Sequence, residues 1–211
     1  MQTKLFTGGQ FCTNLYIVHN QQEAIIIDPG FADQEIDQFI QQQKLKIKYI
    51  ILTHAHIDHY LYAGYYRVKY KAKIYCHEAD KQQFKRSYSY AKKVVDQFPQ
   101  NFMNSADIYF NCGYTFQLQD VQLKIIHTPG HTPGSCCLVS ETTSQIFTGD
   151  TLFSDTIGNY SFPGGSFKDM SDSIHFLEKQ NQYYQFVIYP GHSGTELYNI
   201  AILKALDVLE W

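Results

Sequence analysis

Short apolar runs alternate with amphipathic stretches along the chain, and their spacing predicts strands interleaved with helices. Asn14–Val18 and Ala24–Ile27 read as paired buried strands, turning at His19–Gln22. Asp28-Pro29-Gly30 stops the second of them. A helix is expected over about Gln34–Gln43, with Ile36, Phe39 and Ile40 on one face. Lys48–Thr53 is a further strand that runs straight into His54, followed by a helix from about Asp58 to Val68 and a strand at Lys73–Cys76. Residues 78–106 are a less regular helical stretch carrying Lys81, Lys85, Arg86, Lys92 and Lys93, with Tyr88 and Tyr90 among them. That stretch reads as a solvated face over a hydrophobic edge, with a substrate-covering lid as the alternative. Strands return at Thr115–Leu118, Val121–His127, Cys136–Val139 and Gln145–Thr148. A helix at about Phe167–Gln180, a strand at Phe186–Tyr189 and a helix from about Glu196 follow. No linker interrupts the pattern, so residues 1–211 are expected to form one domain with two mixed strand–helix halves.

Composition narrows the class. The chain is 44% hydrophobic and 18% charged, and its 17 basic and 20 acidic residues give a net charge of -3. A general grip on nucleic acid needs a basic surplus, and none is present. No run approaches the roughly 18 apolar residues of a membrane span. The five cysteines are irregularly spaced with one left over, and no CxxC occurs. A disulfide framework or a cysteine zinc knuckle is therefore not indicated. A cytoplasmic protein without a nucleic-acid or membrane partner is expected; the oligomeric state stays open.

Four polar stations sit where apolar strands end: Thr53–His59, His127–His131, Thr148–Thr151 and Tyr189–His192. Loops at strand ends converge while the strands hold them rigid, and sites collect there. In the first station His54 and His56, two apart, project to one side of an extended segment, and Asp58 and His59 lie where the next helix starts. Neutral imidazoles and carboxylates suit zinc, iron or manganese. Together with His131, Asp150 and His192 the set offers seven ligands, which matches two metals sharing one carboxylate. The blander reading is that these are turn and capping residues. It suits Asp150 or His192 taken singly. It is poor for four ionisable groups within six residues after a buried strand, because burying them unpaired is costly. It is preferred for His19, His77 and His175, while His127 reads as a strand-end neighbour of the site.

The pattern HxHxDH, then HTPGHTPGS, then TGDTLF, then PGHS resembles the metallo-β-lactamase superfamily over essentially the whole chain. Within it, HTPGHTPGS, FTGDTLF and Phe162-Pro163-Gly164-Gly165 look most like the glyoxalase II-like (hydroxyacylglutathione hydrolase-like) enzymes. The resemblance implies an α/β (α+β) fold, a four-layer αββα sandwich of two mixed β-sheets flanked by helices. It implies that His54, His56 and His131 hold one divalent metal and Asp58, His59 and His192 a second. Asp150 bridges them, and Asp28 stands behind as a supporting acid. Two zinc ions are the expected cofactors, with iron or manganese as alternatives. The implied activity is hydrolysis of a small-molecule thioester such as S-lactoylglutathione by a metal-bridging hydroxide, with Asp58 as the catalytic residue that orients it.

Two features depart from the full-length glyoxalase II pattern. Those enzymes carry a C-terminal helical domain, whereas nineteen residues follow His192 here, so the likeness is to a short single-domain branch. Relatives often place a basic residue just after the glycine at 158, where this chain has Asn159-Tyr160-Ser161. Two other functions stay open. One is a mononuclear iron oxygenase resembling the persulfide dioxygenases, and the other is a non-enzymatic binding protein on the same scaffold. Phe162–Gly165 leans toward the hydrolases, and the filled ligand positions lean away from a binding protein.

Overall fold

Alternation with period two decides the layering. In the strand Thr13–His19, Leu15 and Ile17 point to one face and Tyr16 and Val18 to the other, and all four are buried. Such a strand belongs to a sheet covered on both sides. A computed structural model describes residues 2–119 and 121–209 and shows that arrangement twice.

The first sheet holds β1 (Gln2–Gly8), β2 (Thr13–His19), β3 (Glu23–Ile27), β4 (Lys46–Ile51), β5 (Lys73–His77) and β6 (Ile108–Phe110), in chain order. Its first three strands are antiparallel; β3 to β6 run parallel, joined through helices. The second sheet holds β7 (Thr115–Leu118), β8 (Val121–His127), β9 (Cys136–Ser140), β10 (Gln145–Gly149), β11 (Val187–Pro190) and β12 (Glu196–Leu197), again in order. Only β10 and β11 pair in parallel. The inner faces meet in a core that includes Tyr16, Ile25, Ile51 and Tyr75 from the first sheet and Phe116, Leu123, Leu138 and Phe147 from the second.

Helices cover both outer faces. Ile36 and Ile40 of α1 (Gln34–Gln42) pack on Leu15, Ile17 and Ile26. Asp33 caps α1, its carboxylate accepting from the Glu35 amide at 2.8 Å. On the far side, Met170, Ile174 and Leu177 of α5 (Phe167–Glu178) and Ala201, Ile202 and Ala205 of α6 (Tyr198–Leu209) cover Val139, Ile146 and Ile188. The result is the expected four-layer αββα sandwich.

Several elements differ from the sequence expectation. The single helix expected over 58–68 is two, α2 (Ile57–Tyr60) and α3 (Ala63–Tyr70), broken at Leu61–Tyr62. Gly64 approaches the Asn101 carbonyl there, so α3 is placed by packing as well as by periodicity. Within 78–106 only a short turn of helix at Glu78–Asp80 and α4 (Gln83–Val94) are helical. Strands β1 and β6 were not anticipated. β1 is an edge strand whose residues are half-buried or exposed, and β6 has three residues, so neither shows a buried alternating pattern.

Candidate metal centre

The strand ends of both sheets open onto one rim, and backbone hydrogen bonds join them there. The Cys136 amide donates to the Thr53 carbonyl at 3.0 Å, and the Asn14 amide to that of Gly191 at 2.8 Å. Around this seam the structure brings all seven candidate side chains together. Three sets have donor atoms within 4.8 Å of one another: His54, His56 and His131; His54, His59 and Asp150; and Asp58, His59 and His192.

The Asp150 carboxylate lies in the middle. Its Oδ1 stands 3.4 Å from His59 Nε2, and its Oδ2 stands 3.4 Å from His131 Nε2 and 3.7 Å from His192 Nε2. Asp58 Oδ2 is 3.4 Å from His59 Nε2 and 3.1 Å from His192 Nε2. Donors on a tetrahedral ion with bonds of about 2.0–2.2 Å stand about 3.3–3.6 Å apart. These spacings fit that, although His56 Nδ1 and His131 Nε2, at 2.7 Å, are closer and hydrogen-bonded. His54 Nε2, His59 Nε2 and Asp150 Oδ1 are buried without a hydrogen-bond partner. Buried polar atoms left bare are rare in folded proteins unless something else satisfies them, and here they converge on one another. The donor set therefore fits divalent metal.

The opposite edges of the rings are held. Asp28 Oδ2 accepts from His59 Nδ1 at 3.0 Å and from Thr53 Oγ1 at 2.6 Å, while its Oδ1 accepts from the Thr53 amide at 2.8 Å. His131 Nδ1 donates to the Asn159 carbonyl at 2.7 Å. Such contacts fix the tautomer and aim the other nitrogen at the centre. Burial, reinforced by neighbouring imidazoles, lowers His54 and pushes His56 down to about 3, and burial also lowers His131. These three stay neutral and keep a lone pair available. Burial alone would lower His59 too, but Asp58, Asp150 and Asp28 outweigh it and raise it. Burial would raise Asp58 and Asp150; His59 leads the neighbours that hold both low, so both are ionised.

Close approach shapes the floor. A Cβ at Gly191 would lie 2.2 Å from Asp150 Oδ1 and 2.6 Å from His59 Cε1, so the backbone itself forms that wall. The other histidines lie apart from the cluster. His77 and His127 stack on each other with centroids 4.1 Å apart, His19 packs edge-on to Phe39, and His175 is exposed.

A family profile described as the metallo-beta-lactamase superfamily matches residues 8–192. The chain belongs to the metallo-beta-lactamase superfamily. It is 31% identical over 161 residues to a protein of Haemophilus influenzae named hydroxyacylglutathione hydrolase GloC, covering 74% of this chain and 73% of that one. Among solved structures it resembles the BLEG-1 B3 metallo-beta-lactamase, with TM-score 0.83, 25% identity and 94% and 95% of the two chains covered. It also shares the fold of TTHA1623, solved in a di-iron-bound form, with TM-score 0.80, 23% identity and 96% and 98% covered.

Two further parts of this superfamily site were not picked out from the sequence. Asp80, fully buried, accepts from the Ala55 amide at 2.7 Å, the Gly134 amide at 2.6 Å and Thr132 Oγ1 at 2.9 Å. It ties the His54–His59 loop to the His131 loop, and burial pushes its carboxyl up to about 6. Nothing but an acidic residue in a short helical turn marks it in the sequence. The second part is the wall over the centre. A cavity of about 260 Å³ joins His56, Asp58, His131, Asp150 and His192 to Gln83, Arg86, Ser87 and Tyr90 of α4, and to Phe11, Ile57, Phe162 and Pro163. One face of α4 therefore covers the site, where the sequence favoured a solvated face over a hydrophobic edge and kept a covering lid as the alternative. Tyr88 faces away from it, stacking on Phe102 and meeting Phe98 edge-on.

Proposed function

We propose that the protein is a dinuclear metal-dependent thioester hydrolase acting on an acylated small thiol of the S-lactoylglutathione type. The observation that carries this reading is Asp150, which lies between two donor sets, His54, His56 and His131 on one side and Asp58, His59 and His192 on the other. Divalent ions held there supply Lewis-acid polarisation of a carbonyl and acidify water, so acyl hydrolysis at neutral pH needs no nucleophilic side chain. Zinc is the expected metal, and iron is the alternative that the di-iron form of TTHA1623 keeps in view.

The chain's own groups have distinct tasks. Asp58, held ionised and only partly covered, faces the cavity and is placed to orient the attacking water through its carboxylate. Water adds to the carbonyl carbon, the carbon–sulfur bond breaks, and the thiol leaves with the proton. A thiolate leaves with little help from a general acid, so none need be assigned among the groups that line the cavity. Phe11, Ile57 and Phe162 line the cavity and exclude bulk water from the acyl chain.

The test is steady-state hydrolysis of S-lactoylglutathione by metal-reconstituted protein, with elemental analysis of the same sample. A kcat/KM above about 10⁴ M⁻¹s⁻¹ with two metals per chain is expected. Asp150→Ala is expected to lose turnover and to bind less metal, because both donor sets lose a shared neighbour. Turnover no greater than that of the variant overturns the thioesterase reading. A variant with full metal and full activity overturns the bridging role.

A further inference from the structure

The sequence contains two arginines, and the fold treats them differently. Arg67 is spent on structure: its Nε and Nη2 both meet the Asp107 carboxylate at 2.8–2.9 Å. Arg86 forms no ion pair among the described residues, and its one side-chain hydrogen bond among them is a long one, 3.3 Å from Nη1 to Gln83 Oε1. A guanidinium has five N–H donors in a fork that matches a carboxylate, so most of this fork is unfilled.

Its placement is specific. Of the cations between 81 and 93, Arg86 alone lines the cavity above the metal donors. Lys81 lies over the Tyr109 ring and Lys92 over that of Tyr88, outside the cavity. The two cavity carboxylates, Asp58 and Asp150, are engaged by His59, His131 and His192. The opposite loop makes room for the fork. At Gly164, with φ of +101°, a Cβ would stand 3.0 Å from Arg86 Nη1 and 2.4 Å from Gln83 Oε1. Gln83 and Ser87 lie beside Arg86, and Phe11, Tyr90, Phe162 and Pro163 form the rest of the mouth.

We propose that Arg86 is the anion-recognition residue of this pocket and binds a carboxylate carried by the thiol half of the substrate; this rests on the thioesterase reading above. An exposed guanidinium with an open fork, set beside the aromatic rings of the mouth, favours a single planar anion over a neutral group. Arg86 and the metal donors line one cavity of about 260 Å³, just below the roughly 300–1,000 Å³ of ordinary ligand sites, which favours a small thiol half with its anion close to the sulfur. The carboxylate of a cysteine-type thiol meets that requirement better than the phosphate at the end of a pantetheine arm.

Two matched pairs test this. S-acetyl-N-acetylcysteine and S-acetyl-N-acetylcysteamine differ only by the carboxylate, and their kcat/KM values are compared in the wild type, Arg86→Gln and Arg86→Lys. The preference for the carboxylate substrate is expected to fall about tenfold or more in Arg86→Gln, through KM, and to return in part in Arg86→Lys. The uncleavable N-acetyl-S-butylcysteine and its amide are titrated calorimetrically against the same three metal-loaded proteins. The acid is expected to bind the wild type more tightly, and this selectivity is expected to be lost in Arg86→Gln. Failure to hydrolyse either thioester sinks the thioesterase reading, and the thioether titration then still decides Arg86. Equal selectivity in wild type and Arg86→Gln overturns the proposal. So does an Arg86-dependent preference seen only with a substrate whose carboxylate sits on the acyl half, such as S-glutaryl-N-acetylcysteamine.

Discussion

Asp28 shows how much one residue of the centre does without facing it. It sits at the end of β3 with φ of +53°, a left-handed conformation that aspartate and asparagine tolerate better than most side chains. From there its carboxylate accepts from Thr53 twice and from His59 once. Asp28→Asn keeps the backbone preference and the volume but removes the charge and one acceptor. Metal affinity is expected to fall by about 10–100-fold in the variant, with little change in fold, as read by chelator competition and circular dichroism. His54, His56, Asp58 and His59 were legible because their density within six residues is costly without a shared purpose. Asp28 was legible only as a match to a motif, and Asp80 was not legible at all. Its partners Ala55, Thr132 and Gly134 are distant in sequence, and no local pattern encodes a carboxylate that joins two loops.

At the scale of elements, α4 separates two jobs along one helix. Tyr88 belongs to an aromatic cluster with Phe98 and Phe102, whereas Tyr90 is exposed and lines the cavity. Tyr88→Ala is expected to destabilise the protein by about 2 kcal/mol, because packed aromatic contacts are lost. Tyr90→Ala is expected to change stability by less than about 0.5 kcal/mol while raising KM for the thioester. Denaturant melts and Michaelis–Menten curves of the pair check this; equal effects of both on KM would remove the division of labour. The sequence showed a helix with charges and tyrosines on it. It could not show which face meets the centre, because the covering contact comes from Phe162–Gly164, far along the chain. The buried strands β2, β3 and β9 were legible for the opposite reason, since burial on both faces leaves an unbroken apolar run, while β8 was legible from its alternation, with Val121, Leu123 and Ile125 buried and Gln122 and Lys124 exposed.

For the whole molecule, two sheets share one core, and a buried histidine apart from the centre makes its stability depend on pH. His77, at the end of β5, stacks on His127, at the end of β8, and its Nε2 is buried without a partner. Burial, with His127 beside it, pushes His77 from 6.5 down to about 4. Between those values the unfolded chain takes up a proton that the folded protein refuses, so stability falls as pH drops through this window. His77→Gln is expected to show a smaller loss of Tm between pH 7 and pH 5 than the wild type. An unchanged slope would mean that other groups carry the dependence. Within the described residues no helix is long and apolar enough to cross a membrane. The two mixed halves followed from the strand pattern and the double sheet from the family resemblance, whereas the joining of the two halves at the rim followed from neither, because the amide-to-carbonyl links at Thr53 and Gly191 leave no signature in side-chain type.

The seam also imposes an order of assembly. Four donors precede residue 60, and the others appear at 131, 150 and 192, each from a later strand end. During synthesis the nascent chain holds an incomplete claw until His192 has emerged and β11 has docked beside β10. Metal captured before the second sheet forms would be held by the first loop alone and would exchange freely with the cellular pool. Retention should therefore arrive abruptly, with the folding of the second half, and a chain stalled before that point should leave the ribosome without its metal.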